Sequence, residues 1–115
     1  MPEEYSKKTT LRLPPQDLEA EQAFLGSLML KPQGMDEVID HISEDSFYVE
    51  KHRVIMNTMI DLANAGNPID LLSTTNRLKE LTDLERAGGR SYLADLVSAV
   101  PTSANLKYYA EVVQK

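Results

Sequence analysis

Residues 84–109 decide the fold, and they read LERAGGRSYLADLVSAVPTSANLKYY. Glycine has no Cβ, so the pair Gly88-Gly89 can adopt positive φ, end one helix and turn the chain sharply. A new helix is predicted from about Arg90, because apolar residues then recur along one helical face. This helix must stop before Pro101, since proline lacks a backbone donor and restricts the residue before it. The apolar face comprises Tyr92, Leu93, Leu96 and Val97.

A further helix is predicted beyond Pro101, where Thr102 can cap the first exposed N–H groups. Its apolar face, which includes Tyr109, repeats at spacings of three and four residues. Tyr108 lies about 100° from Tyr109 around the helix, so we expect it to point outward. Tyrosine combines an apolar ring with a polar tip and is enriched at protein interfaces. The candidate partner contacts are therefore Tyr92, Tyr108 and Tyr48.

Four helices are predicted before the glycine pair. The first begins near Asp17, a fair N-cap, and contains Gly26. A glycine within a helix costs about 1 kcal/mol relative to alanine, so Gly26 suggests the close approach of another backbone. A short second helix follows within residues 35–42. The third runs from about residue 50 to residue 65, where Gly66 can supply the positive φ that ends it.

The fourth helix is predicted to start at a cap formed by Asp70 or Ser73. The chain thus reads as about six short helices with no convincing strand. We predict an all-α domain, a compact helical bundle, at residues 11–115 after a flexible arm at residues 1–10. The residues expected to hold this bundle are Gly26, Gly66, Gly88, Gly89, Leu96, Pro101 and Tyr109.

Charge and composition narrow the function. The chain carries 12 basic and 18 acidic residues, a net charge of −6, whereas a domain that grips nucleic acid needs clustered lysine and arginine. Residues 36–50 hold six carboxylates and no lysine or arginine. They could form a metal or partner patch, although such runs are usually solvated faces. The absence of cysteine fits a reducing, cytoplasmic location, and no apolar run is long enough to span a membrane.

The sequence contains no constellation typical of an enzyme. His41 and His52 lie eleven residues apart on different predicted elements, which is not a metal-ligand spacing. Each is better interpreted as a surface or helix-end histidine. No G-x-x-x-x-G-K-[ST] motif occurs, so there is no phosphate cradle for ATP. We therefore predict no catalytic, cofactor-binding or metal-binding residue.

Three segments carry a family resemblance. Residues 88–110 match G-G-x-x-Y-L-x-x-L, P-T-S/A-A-N and Y-A; residues 14–26 match P-P-x-x-x-E-A-E-x-x-x-L-G; residues 47–70 match F-Y…H-x-x-I…G-x-P-I-D. In this order and spacing, they resemble the N-terminal domain of the hexameric, DnaB-type replicative DNA helicase. The resemblance covers roughly residues 11–114, and it implies that His52 is a packing residue rather than a catalytic one.

The resemblance implies a non-catalytic part of a replicative helicase, within an N-terminal collar that helps subunit assembly and primase docking. The implied partners are other helicase subunits and primase, with a helicase loader as a further candidate. The net charge predicts no strong DNA binding by this segment, and the short apolar runs predict no membrane contact. ATP and Mg would belong to a RecA-type ATPase domain beyond this segment. The alternative is a free-standing helical adaptor that binds a regulatory protein. Downstream sequence distinguishes the two, since only the helicase continues into a Walker motif.

Overall fold

The computed structural model describes residues 15–100 and Val113, and its regular elements are all helical. Residues 15–100 contain five α-helices and two 3₁₀ turns (Pro32–Gly34 and Glu44–Ser46), joined by loops, and no strand. The all-α prediction is therefore confirmed. The predicted arm, the helix beyond Pro101, and the residues Tyr108 and Tyr109 lie outside the described part of the chain. The helices are α1 (Pro15–Leu30), α2 (Met35–Val38), α3 (Glu50–Asn64), α4 (Leu71–Glu80) and α5 (Gly89–Ser98).

Two helix junctions depend on glycine, as predicted. After α3, Gly66 has a φ of +74°, and the Asn67 N–H donates to the Leu62 carbonyl at 2.9 Å. Before α5, Gly88 has a φ of +98° and Gly89 one of +86°. These left-handed conformations satisfy the last carbonyls of one turn while the chain changes direction.

Of the two N-caps predicted before the glycine pair, one is correct and one is wrong. Asp70 caps α4: its carboxylate accepts the Ser73 N–H at 2.7 Å, while the Ser73 hydroxyl accepts the Asp70 N–H at 2.9 Å. Both predicted candidates thus form one reciprocal capping box. The predicted N-cap at Asp17 is wrong, because α1 begins two residues earlier at Pro15. Proline is well suited to a first helical turn, since an N–H there has no partner within the helix.

A single apolar core lies among α1, α3, α4 and α5. Leu93 and Leu96 are buried, which confirms the predicted inner face of α5, and Tyr92 and Val97 pack at its edge. Phe24 of α1 packs against Phe47, with ring centroids 5.8 Å apart. Val113 also belongs to this core. No helix in the described ranges has the length and apolar character needed to cross a bilayer.

Gly26 sits where α1 crosses α5, the most extensive helix contact in the bundle. A Cβ built on Gly26 would collide with the backbone carbonyl of Leu96 and approach Val100 Cγ2 to 2.6 Å. A carbonyl in a helix cannot rotate away as a flexible side chain can. The close backbone approach predicted from the sequence is therefore present, and its neighbour is α5.

We predict that Gly26→Ala lowers the free energy of unfolding by about 1–3 kcal/mol, because it overpacks this crossing. Helix propensity alone gives the opposite sign, since alanine favours a helix by about 1 kcal/mol over glycine. Chemical denaturation measures the change. Ala23→Gly on the same helix is the control, and propensity predicts that it destabilises. A Gly26→Ala variant more stable than wild type would contradict the steric argument.

Candidate protein-interaction site

Three polar side chains from three helices meet inside the bundle. The Glu21 carboxylate of α1 lies 2.7 Å from Nδ1 of His52 of α3, and both side chains are almost fully buried, at 4% and 0% exposure. Nε2 of His52 lies 2.5 Å from the hydroxyl of Tyr92 of α5. We call Glu21, His52 and Tyr92 the polar network. It connects α1, α3 and α5 through hydrogen bonds within a mainly apolar core.

The donors and acceptors of the polar network are mutually consistent. A carboxylate only accepts, so Nδ1–H of His52 donates to Glu21 and leaves Nε2 free to accept the Tyr92 hydroxyl proton. The side-chain amide of Gln22 donates to the same hydroxyl oxygen at 3.3 Å. The second Glu21 oxygen accepts the backbone N–H of Tyr48 at 2.8 Å. Each buried polar group in the network thus has a partner, as burial requires.

The two histidines therefore differ. His41 is exposed, as predicted. His52 lies in the first turn of α3, which agrees with the predicted helix-end position, but its side chain is fully buried, so the surface alternative is wrong for it. The packing role implied by the family resemblance describes His52 better. Its ring is nearly coplanar with that of Tyr92, at an interplanar angle of 14° and a centroid distance of 5.9 Å, as expected for two rings joined end to end by a hydrogen bond.

Tyr92, predicted as a partner contact, directs its hydroxyl into the polar network. Burial raises the pKa of this phenol; the Glu21 and Asp95 charges add to the increase, while the hydrogen bond from Gln22 opposes it. Lys51 lies over one face of the ring, with its Nζ 3.9 Å from the ring centroid. The polar tip of Tyr92 is thus occupied from within the domain.

Tyr48, in contrast, is exposed at 41% while its backbone is held on two sides. Its N–H binds Glu21, and Nη1 of Arg53 donates to the carbonyls of Phe47 and Tyr48 at 3.1 and 3.3 Å. The preceding side chain, Phe47, is buried in the core. Tyr48 is therefore an outward-facing aromatic side chain on a fixed backbone.

A polar groove of about 260 Å³ lies at the start of α3, beside the segment that carries Tyr48. Arg86 lines the groove and pairs with Glu50 at 3.1 Å and Asp83 at 3.0 Å. The hydrogen bonds to Glu50 first, and then to Asp83, raise the pKa of Arg86. Arg53 and Asp45 also line the groove. We call this the Asp45 groove.

The polar network differs from the arrangement of an activated nucleophile. Tyr92, His52 and Glu21 follow the order of a hydroxyl, a base and a carboxylate, but burial raises the pKa of Tyr92, which is the opposite of nucleophile activation. Across residues 15–100, no three His, Asp or Glu side chains converge as metal ligands. In the acidic segment, the exposed side chains of Asp36, Glu37, Asp40 and Asp45 fit the solvated-face interpretation.

Sequence reasoning missed Glu21 as the carboxylate partner of His52. Glu21, His52 and Tyr92 are separated by 31 and 40 residues, so no local spacing connects them. A signal was nevertheless present, because each of the three matched segments contributes one of these residues: the E-A-E, H-x-x-I and G-G-x-x-Y-L patterns. Polar residues shared among separate motifs of one buried domain are candidates for a common contact.

With this geometry in place, comparison with known proteins defines the class. Residues 13–115 match the model of the DnaB-like helicase N-terminal domain. The chain belongs to this family, and the domain does not include the ATPase domain of these helicases. The resemblance found in the sequence is thus confirmed, as is the absence of a helicase motor from the matched segment.

Individual relatives of the chain are replicative DNA helicases. The replicative DNA helicase DnaC of Bacillus subtilis is 43% identical over 104 residues, and DnaB of Geobacillus stearothermophilus is 41% identical over 104 residues. These matches cover 90% of the chain but only 23% of either relative, so the chain spans about a quarter of their length.

Two solved structures share the fold. The crystal structure of the N-terminal domain of DnaB helicase from Mycobacterium tuberculosis has a TM-score of 0.81 and 37% identity, covering 89% of this chain and 74% of that one. A structure of a DnaB-like replicative helicase and its interactions with primase has a TM-score of 0.74 and 33% identity, covering 83% and 22%.

We predict that Tyr92→Phe destabilises the domain near neutral pH by about 1–3 kcal/mol, because it leaves buried His52 without its hydroxyl partner. The wild-type Tyr92 contributes stability below the unfolded-state pKa of 10.0, and this contribution is lost as pH rises through the raised folded-state pKa. The variant should therefore lose less stability than wild type above about pH 10. Denaturant titrations across alkaline pH measure both effects.

Tyr48→Phe is the matched control, since it removes the same group from an exposed ring. It should leave stability near neutral pH close to wild type. Equal stability of Tyr92→Phe and wild type, at neutral and alkaline pH alike, would show that the Tyr92 hydroxyl contributes nothing to stability through the polar network.

Proposed function

We propose that this chain is the N-terminal domain of a replicative hexameric DNA helicase and acts in the cytoplasm during chromosome replication. It forms part of the N-terminal collar, helps subunits assemble, and docks primase; a helicase loader is a further candidate partner. The observation that carries this proposal is the match to the DnaB-like N-terminal domain over residues 13–115. The similar DnaB-like replicative helicase, whose structure was reported with its interactions with primase, supports primase as the partner.

The chemistry of this domain supports a docking role over a motor or DNA-gripping role. ATP and Mg belong to the ATPase domain of the helicase, and the 115 residues contain no Walker phosphate motif. A net charge of −6 opposes binding to the phosphate backbone. Protein contacts are thus the function that fits this surface best.

Within the described residues, Tyr48 is the best partner contact of the three tyrosines proposed from the sequence. Its side chain is exposed while hydrogen bonds fix its backbone, so binding costs little backbone entropy at this residue. Tyr92 acts through the polar network, which shares the Glu21 carboxylate with the Tyr48 N–H. Tyr108 lies outside the described ranges and stays a candidate from its sequence position.

We predict that Tyr48→Ala weakens primase binding by at least about 5-fold, as truncation of an interface aromatic costs more than about 1 kcal/mol. Isothermal titration of the C-terminal domain of the cognate primase into the full chain, alone and within the helicase, measures it. Leu81→Ala is the matched control, because Leu81 is 40% exposed at a different place, the end of α4.

The docking role and the Tyr48 contact can each be contradicted by a separate result. If wild type does not bind primase in either context, the docking role is wrong. If wild type binds but Tyr48→Ala and Leu81→Ala bind equally well, primase docks on another face and Tyr48 is not a contact.

A further inference from the structure

The Asp45 groove is a place where a partner side chain can enter. It opens beside Tyr48, since Arg53 both lines the groove and donates to the Tyr48 carbonyl at 3.3 Å. Its lining is polar except for Val54. We propose that the groove receives an arginine or lysine side chain from a basic segment of a protein partner, while Tyr48 packs against the same segment.

The charges in the groove favour a cation. Both of its guanidinium groups already have acceptors: Arg86 pairs with Glu50 and Asp83, and Arg53 donates to two backbone carbonyls. Three carboxylates therefore face two guanidinium groups, and Glu50 and Asp83 are already paired with Arg86. The exposed Asp45 forms no ion pair with another described residue, so it is the acceptor that an incoming cation meets. Carboxylates bind guanidinium and ammonium groups through charge-assisted hydrogen bonds.

Other occupants fit less well. Carboxylates repel the phosphates of nucleic acid or a nucleotide. A second copy carries the same net charge of −6, which opposes association through this acidic face. The volume of about 260 Å³ lies below the range of about 300–1,000 Å³ typical of small-molecule sites, and it suits one long side chain better.

The acidic surface nearby would attract such a partner from a distance. Residues 36–50 contain no lysine or arginine, and Asp36, Glu37 and Asp40 are exposed. Tyr48 adds a ring face on which a cation can rest, an interaction that the domain already uses between Lys51 and Tyr92. The partner segment is thus basic, and it presents its cation beside Tyr48.

The inference names the chemistry of the proposed docking surface and so rests on the docking role, but its test does not require primase. The full ¹⁵N-labelled chain is titrated with the peptide acetyl-(Ala-Arg)₄-amide, and with the glutamine and glutamate analogues as neutral and acidic probes. Amide shifts should concentrate at Asp45, Tyr48, Glu50 and Arg53 with the arginine peptide alone.

Asp45→Asn should weaken binding of the arginine peptide by about 3-fold, the effect of one exposed ion pair. Tyr48→Ala should weaken it by about 2- to 5-fold, the effect of one exposed cation–π contact. Asp36→Asn is the matched control, because it removes the same charge from an exposed carboxylate outside the groove. It should weaken binding clearly less than Asp45→Asn does, because it removes long-range attraction but no direct contact.

Equal weakening by Asp36→Asn and Asp45→Asn would overturn the proposal, since the attraction would then be general to the acidic surface. Shifts spread over other faces, or no shifts, would overturn it as well. Localised peptide binding together with no primase binding would support the groove and refute primase as its partner. Primase binding that is insensitive to Asp45→Asn and Tyr48→Ala, with no peptide shifts, would support the docking role and refute the groove.

Discussion

The arrangement of the helices depends on the buried Glu21 carboxylate, which connects α1 to α3 and to the segment before α3. One of its oxygens binds His52, which binds Tyr92, and the other binds the backbone N–H of Tyr48. A buried carboxylate is costly unless its charge and lone pairs have partners. The partners of Glu21 come from α3 and the segment before α3, and Tyr92 of α5 is linked to it through His52. Each must therefore arrive at a defined position relative to α1. An apolar core alone would tolerate small shifts that these hydrogen bonds do not.

A second constraint acts on the packing of α5 against α1. Tyr92 and Leu96 are four residues apart on α5 and so lie on one face. Tyr92 is linked to α1 through the polar network, and Leu96 approaches Gly26 of α1 with its backbone. The network sets the orientation of α5 at one turn, while the glycine sets its distance at the next. Gly88 and Gly89 make this arrangement reachable, since their positive φ turns the chain into α5.

Much of the fold could be predicted because its signals are local. Helix periodicity, the Asp70 cap and the glycine at the end of α3 each depend on a few neighbouring residues. The polar network could not be predicted in this way, because its members are far apart in sequence and a lone histidine fits a surface equally well. The start of α1 was misplaced since Asp17 and Pro15 are both compatible with a helix N-terminus, and nothing local chooses between them.

The polar network also connects the core to the outside of the domain. An exposed aromatic side chain binds a partner well only if ordering it costs little, and the order of Tyr48 comes from Glu21 and Arg53 rather than from the side chain itself. Since Glu21 serves His52 and Tyr48 with the same carboxylate, loss of the buried hydrogen bonds would loosen the exposed segment as well. A core substitution in this domain could thus reduce partner binding without touching the partner, through the position of one backbone N–H.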